Sequence, residues 1–563
     1  MMDEFKGIDH GLFYTFLLLL SLIAIPSLSS AFSTQEEDIE HVVGRYFDYI
    51  IVGGGTSGCP LAATLSQNYS VLLVERGGSP YGNPLIEDGE KLGTANAQTD
   101  EFTSVSQEFI SKEGLANHRG RALGGSTTIN GGFYSRASED YIKRAGWDPE
   151  LVREAYEWVE SKVVSRPSLS SWQSAAAEGM VEAGIRPFNG LTLEQIKGTK
   201  VGGSIFDVCG RRHTAADLLG AGNPEKITVL LNATVQNIVF RNAVAFGINV
   251  RNDPTGGGKH HIRAHGIRFM RSNGDPNKLY EIYLNHPKDS GFWGDVILSA
   301  GALGSPQILM LSGIGPKNHL THFNITTLID AREVGQSVKD NPGIGTRLNY
   351  SSQSLRRLHV DPGKITGIVS GFRIIIETLV AHSGFNTSDL TVQLAGKLAY
   401  PVSSGSLGLQ TADPRQNPSV EFNYLSKEQD LDECVEMVRL LYKVVGSRSI
   451  STFLVRRQSM IGKNGTSSIQ ELRDFCRENV GTFSHYHGGC VVGSVIDRDY
   501  RVLGVKGLRV IDGSTFLNSP GTNPMATVLM LGSAKQAQAE AKQAGVDAGD
   551  RRAATTSDGG DRL

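Results

Sequence analysis

Two short stretches near the C-terminal end carry the residue types that move protons. They are His485-Tyr486-His487-Gly488-Gly489-Cys490 and Ser519-Pro520-Gly521-Thr522-Asn523-Pro524-Met525-Ala526-Thr527. An imidazole titrates close to neutral pH, so either histidine is suited to accept a hydroxyl proton. The Asn523 amide can hydrogen-bond the same oxygen without competing for that proton. On residue type alone, His485 and His487 are both open as the base.

Such groups need a scaffold, and the other end of the chain carries one. Tyr49 to Val52 is a β-rich apolar run that stops at three glycines, after which Gly53, Gly55 and Gly58 fall at the G-x-G-x-x-G spacing with Thr56 and Ser57 inside the turn. This is the strand, tight turn and helix start of a dinucleotide-binding βαβ unit. A pyrophosphate reaches backbone N–H groups at a helix N-terminus where no Cβ stands in the way. The following helix carries Leu61, Ala62 and Leu65 on one face, and a second apolar run, Val71 to Val74, ends in Glu75, 17 residues after Gly58. An acid there meets a ribose hydroxyl and repels a 2′-phosphate, so FAD or NAD is expected rather than a 2′-phosphorylated cofactor.

Length and composition bound the remaining choices. A chain of 563 residues with 39% hydrophobic and 20% charged residues is globular and large enough for two or more domains. The net charge of −3, with no basic stripe, argues against nucleic-acid binding. Leu12 to Ile25 is an apolar run followed by Ser29-Ser30-Ala31, which reads as a secretory signal peptide over 1–31 with cleavage before Phe32. Once it is removed, no stable membrane insertion is expected. An uncleaved anchor is the alternative, because Asp3, Glu4 and Asp9 outweigh Lys6. Sequons begin at Asn68, Asn232, Asn324, Asn349, Asn386 and Asn464, as a glycosylated secreted protein would show. The five cysteines have no metal-ligand spacing; Cys434 and Cys476 could pair in an oxidising compartment, and Cys59 reads as a small buried hydrophobe.

Taken in order, the chain offers further walls for a ligand. Gly120 to Gly132 contains Arg121, Gly124, Gly125, Ser126 and Asn130, and reads as a second backbone surface pressed against the same cofactor. Trp147 to Val164 reads as a peripheral helix with Leu151, Ala155, Trp158 and Val159 on one side. Arg211-Arg212 could reach a ligand phosphate or carboxylate, but reads first as a solvated surface pair. Ile227 to Phe240 reads as strands, with Val235 either against an adenine ring or in plain core packing. Residues 252–290 read as a long hairpin excursion, and Val296 to Ala302 as a buried strand leading into a helix. Ser370 to Ser383 is expected to be an apolar helix, and Thr391 to Ala399 and Ser406 to Leu409 strands. The stretch 536–563 reads as a disordered tail.

These motifs together, with Leu508-Arg509-Val510-Ile511-Asp512-Gly513-Ser514, resemble the glucose-methanol-choline (GMC) family of FAD-dependent oxidoreductases from about Phe47 to Lys535. The wording is most similar to the plant branch that holds HOTHEAD-like proteins and almond-type mandelonitrile lyases. The resemblance implies an α/β fold: a Rossmann-like FAD-binding domain assembled from 45–135, 190–318 and 480–535, and an α+β substrate lobe with an antiparallel sheet from 136–189 and 319–479. It implies Asp512 and Gly513 on the ribityl-pyrophosphate part of FAD, Glu75 on the adenosine ribose, and Asn523 beside the flavin. The H-x-x-G-G context selects His485 as the catalytic histidine, with His487 as a support residue. Ile129 stands where some members attach FAD through a histidine, so FAD is expected to be held non-covalently.

Two activities follow from that resemblance. One is oxidation of an alcohol, with His485 taking the hydroxyl proton and hydride passing to flavin N5. The other is hydroxynitrile lyase activity, in which FAD is structural and His485 deprotonates a cyanohydrin so that cyanide leaves. Almond-type lyases carry a tyrosine and a tryptophan before the histidine, a pocket cysteine and a second histidine. This chain has Phe483, Ser484, no cysteine between Cys209 and Cys434, and Asn523, which favours the oxidoreductase.

Overall fold

A computed structural model describes residues 35–36, 38–241, 262–285, 294–348, 360–369, 371, 373–382, 390–454 and 468–533. The expected signal peptide, the C-terminal tail and the sequons at Asn349, Asn386 and Asn464 lie outside the described residues.

Strand β1 (Tyr49–Val52) and strand β2 (Val71–Val74) pair in parallel, with Ile50 opposite Leu72 and Val52 opposite Val74. Helix α1 (Gly58–Leu65) crosses between them. Both strands are almost wholly buried, as parallel strands covered on both faces must be. Ile227–Leu230 pairs beyond β2, while Val296–Leu298 pairs on the other side of β1 and is flanked by Leu508–Val510. The chain therefore reverses its direction of travel across the sheet at β1. The crevice beyond the C-terminal ends of β1 and Val296–Leu298 is the switch point where doubly wound sheets take ligands.

A seven-stranded sheet forms the second layer. Its centre is strand β3 (Ile374–His382), antiparallel to Ile365–Val369 on one side and to strand β4 (Leu390–Leu398) on the other. The expected helix over Ser370 to Ser383 is thus a strand. Its run of β-branched residues satisfies either period, and the pleat decides: Ile374, Ile376 and Val380 pack toward the helices, while Glu377 and Leu379 line the interior cavity. Helix α2 (Glu428–Val445) covers the helix-side face, and a disulfide from its Cys434 to Cys476 ties it to helix α3 (Ile469–Asn479).

The expected domain boundaries shift in three places. Phe188–Leu191, Gly198–Val201 and Gly481–Thr482 belong to the seven-stranded sheet, although the sequence placed most of them with the nucleotide domain. Helix Pro149–Val163, capped by Asp148, packs Tyr156, Val159 and Val163 into the nucleotide-domain core rather than at a periphery. Its buried face runs through Val152, Ala155, Tyr156 and Val159, with Leu151 and Trp158 only half-buried, because the helix enters the core one residue rotated from the expected stripe.

The disulfide closes a long loop between two helices that also meet through Arg473, which pairs with Glu428 and Asp432. Cys434→Ser is expected to lower stability by about 2–4 kcal/mol while leaving the nucleotide core intact, read as a lowered thermal midpoint in non-reducing buffer.

Candidate active site

Three backbone segments converge at the end of β1, and the glycines there do different work. A Cβ on Gly58 would sit 1.9 Å from the Gly53 carbonyl oxygen, and one on Gly53, whose φ is +104°, would sit 2.5 Å from the Ser299 oxygen. These two glycines let backbone pack on backbone. A Cβ on Gly55 would meet no protein atom closer than 3.7 Å, so its bare face is turned to the cavity. The second glycine stretch closes on the first: Gly124 N–H donates to the Gly54 carbonyl at 2.7 Å, and a Cβ on Gly125 would lie 2.7 Å from Gly55 Cα. Asp512 ties in the third wall, accepting from Gly301 N–H at 2.9 Å, the Ser305 hydroxyl at 2.5 Å and Ser514 N–H at 2.8 Å. Burial of Asp512 pushes its carboxyl up against those hydrogen bonds.

The cavity so enclosed is about 580 Å³ and runs from Glu75 to His485. At its nucleotide end the buried Glu75 carboxylate accepts from Gly54 N–H at 2.9 Å and Gly77 N–H at 2.8 Å. Burial pushes this carboxyl up, against Arg76 and the two amides. Thr56, Ser57, Ser126, Val235 and Gly513 share the wall. Asn130 does too, its oxygen accepting from Gly132 N–H at 3.0 Å and from Arg212 at 3.1 Å.

Two sequence expectations change here. Arg121 does not reach the cavity: its guanidinium donates to the Ser104 and Glu101 carbonyls and to Asp100, whose loop wraps it. Arg76 and Arg119 are the guanidinium groups on the cavity wall. Arg212 is buried rather than a solvated surface residue; it donates to the Ile86 and Thr127 carbonyls and braces Asn130 from behind, while Arg211 remains exposed and pairs with Glu87.

At the opposite end His485 and Asn523 face the same chamber, with Phe133, Ile365, Leu379 and Phe483 as its apolar lining. The loop that presents His485 is pinned by Asp340, a buried carboxylate that accepts from His485 N–H at 2.7 Å, Thr482 Oγ1 at 2.6 Å and the Tyr424 hydroxyl at 2.8 Å. The imidazole is oriented by Asn341. Asn341 Nδ2 donates to the Leu398 carbonyl at 2.7 Å and the Ala399 carbonyl at 3.1 Å, which fixes the amide so that Oδ1 faces His485 Nδ1 at 3.2 Å. A carbonyl-type oxygen only accepts, so Nδ1 carries the hydrogen and Nε2 holds a free lone pair. Burial, with Lys397 and His487 adding to it, holds the imidazolium form well below the usual histidine range. The side chain is thus a neutral base. His487 lies off the cavity wall and donates from Nδ1 to the His485 carbonyl at 2.9 Å, a backbone support.

Sequence reasoning missed four residues of this end: Asp340, Asn341, Glu377 and Lys397. Asp340 and Asn341 lie in the turn-rich stretch Gly335 to Pro342, which carries no chemical motif. Lys397 carried a signal, a cation inside a predicted apolar strand; it is fully buried and pairs with Glu377 at 2.6 Å.

A glycine cradle at a switch point, opening into an apolar chamber with an oriented base, defines an enzyme that holds a dinucleotide cofactor over a small-molecule site. The N- and C-terminal GMC oxidoreductase family models match residues 47–350 and 401–532. Protein HOTHEAD of Arabidopsis thaliana is 41% identical over 86% of each chain. The (R)-mandelonitrile lyase-like protein of the same plant is 40% identical over 94% of this chain and 97% of its own. Sinalpyl alcohol oxidase Nec3 of Nesocodon mauritianus is 38% identical, covering 89% and 90%. The crystal structure of formate oxidase superposes with a TM-score of 0.72 over 89% of this chain and 99% of its own, at 19% identity, a likeness of fold. The chain belongs to the GMC oxidoreductase family, and FAD is its cofactor. The residues present fit that group: Gly55 and Gly301 leave bare backbone where a Cβ would enter the cradle, Glu75 offers an acceptor, and Ile129 offers no atom for a covalent link.

The two kinds of glycine separate experimentally. Gly55→Ala is expected to fold normally but to bind FAD about tenfold to a hundredfold more weakly, since its Cβ enters only the cradle. Gly58→Ala is expected to lose folded protein altogether. Flavin-to-protein absorbance ratio and circular dichroism of the two variants check this contrast.

Proposed function

We propose that this protein oxidises the CH–OH group of a small-molecule alcohol, with His485 as the base. The observation that carries the reading is the fixed tautomer: His485 Nε2 presents a lone pair to a chamber that Asn523 also lines. FAD, when bound, supplies the hydride acceptor. Nε2 takes the hydroxyl proton, and the negative charge that grows on the substrate oxygen is met by the Asn523 amide. Phe133, Ile365, Leu379 and Phe483 exclude water around the reacting carbon and favour a substrate with an apolar arm. At the other end of the cavity, Gly53, Gly55, Thr56, Ser57, Glu75, Ser126, Asn130, Val235, Asp512 and Gly513 would hold FAD.

The second reading, cleavage of a cyanohydrin to an aldehyde and cyanide, uses the same histidine and has relatives to support it, the (R)-mandelonitrile lyases of Prunus dulcis among them at 35% identity. Cyanide departs as an anion and needs a positive environment. Here the Lys397 charge is matched by Glu377, whose carboxylate itself faces the chamber, and no cysteine lines the wall among the described residues. Both features favour oxidation.

Entry into the secretory pathway is part of the same proposal. It is supported by the N-terminal apolar run, by the Cys434–Cys476 disulfide and by exposed sequon asparagines at Asn68 and Asn324. Among the described residues no helix is long and apolar enough to cross a membrane.

Anaerobic mixing with a panel of aryl and alkyl alcohols is expected to bleach the flavin, whereas mandelonitrile is expected to leave it oxidised without releasing benzaldehyde. Benzaldehyde and cyanide released over an oxidised flavin would reverse the assignment. His485→Ala should retain FAD and lose flavin reduction by a factor of about 10² or more, the usual worth of a positioned base. Because the His485 pKa is depressed, the imidazole stays neutral as pH falls through 6.5. The acid limb of kcat/KM is therefore expected below the ordinary histidine range, and a limb at or above pH 7 would contradict the buried neutral base.

A further inference from the structure

A fully buried ammonium is costly unless every one of its bonds is answered. Lys397 sits one residue before the C-terminal end of β4, on the face turned to the cavity, with none of its surface exposed. Its Nζ donates to Glu377 Oε1 at 2.6 Å and to Asn523 Oδ1 at 2.8 Å, and lies 5.2 Å from the centroid of the Phe483 ring. An ammonium has donors only, so the Asn523 atom that faces it is the carbonyl oxygen. Glu377 enforces the same orientation independently, because its Oε2 accepts and stands 3.4 Å from Asn523 Nδ2. Lysine and carboxylate thus hold opposite ends of one amide. The remaining N–H of Asn523 is left for the chamber.

We propose that Lys397 and Glu377 form a positioning pair that locks the Asn523 amide with an N–H, not its carbonyl, toward the substrate oxygen. The inference rests on the reading that His485 and Asn523 act on a substrate hydroxyl. As His485 withdraws the proton, the oxygen becomes negative; an N–H stabilises it, whereas a flipped amide would set a carbonyl dipole against it. Lys397 does not touch the substrate in this scheme. Its positive charge is matched by Glu377, so the pair supplies orientation without a net charge in the chamber.

The test replaces both charges at once, Lys397→Met with Glu377→Gln, so that neither is left buried alone. Stopped-flow reduction by an alcohol that bleaches the wild-type flavin gives a limiting rate and a substrate Kd. The pair variant is expected to keep its FAD and its Kd within about threefold and to lose roughly tenfold to a hundredfold in limiting rate. Adding Asn523→Ala to it should slow it no further than Asn523→Ala alone, the non-additivity of residues that act as one unit. A wild-type limiting rate in the pair variant, or losses that multiply with Asn523→Ala, would overturn the proposal. Should the pair variant fail to hold FAD, Asn523→Asp carries the test: it still accepts from Lys397 but offers no N–H, so a rate equal to wild type would overturn the proposal and a fall matching Asn523→Ala would support it. If mandelonitrile rather than any alcohol is turned over, the oxidation reading fails, and the same variants compared on cyanohydrin cleavage decide the positioning separately.

Discussion

The molecule depends on backbone packing directly against backbone where β1 ends. Gly53 lies on Ser299, Gly58 on Gly53 and Gly125 on Gly55, each at a separation that a methyl group would abolish. Three segments far apart in the chain are held there by that contact, and the Asp512 carboxylate ties a fourth to the segment that follows Ser299. The cradle is formed by the absence of side chains. The same absence leaves backbone N–H groups uncovered, which is what approach of a pyrophosphate requires.

The far end of the cavity is organised by the opposite means, a dense set of side chains whose polar atoms answer one another. Asp340 collects three donors from two separate segments, and Asn341 divides its amide between the end of β4 and the His485 ring. Such networks are stabilising only when complete, because a buried polar atom left without a partner costs more than the bond is worth when made. Completion also removes freedom. The imidazole takes the Nδ1–H tautomer because the other neutral tautomer would set Nδ1 and the Asn341 oxygen face to face as acceptors.

Between the two ends, the seven-stranded sheet acts as a lid whose pleat separates structure from chemistry. Along β3 and β4 one set of alternate residues packs on α2, and the other presents Glu377, Leu379, Gln393, Ala395 and Lys397 to the interior. A one-residue slip in either strand would exchange these sets, so the apolar packing against the helices fixes which side chains line the cavity. Activity is therefore set by residues that a domain-level likeness does not determine, and relatives of this fold carry both oxidase and lyase names.

Much of the nucleotide end was legible in the amino-acid sequence. Gly53 to Gly58, Glu75 and the Gly120 to Gly132 stretch declare themselves because their constraint is local: a strand stop, a bare turn and an acid at a set distance. Arg121 misled because sequence gives a side chain's place but not its direction, and the Asp100 loop captures it. Ile374–His382 reads as a helix because its run is mostly apolar, interrupted by Glu377 and Thr378, and only pairing with its neighbours made it a strand. The orientation of His485, and the roles of the four residues that set it and Asn523, were hidden for a deeper reason. Asp340, Asn341, Glu377 and Lys397 come from separate strands and links, and their meaning lies in hydrogen bonds across distances of chain that no spacing encodes. Residue types and local spacing determined that this protein holds a dinucleotide, which the resemblance to the GMC family narrowed to FAD, and that it carries a histidine able to act as a base. Tertiary structure alone decided that the base is neutral, which nitrogen is free, and which face of an amide stands beside it, because those are properties of buried partners rather than of the residues themselves.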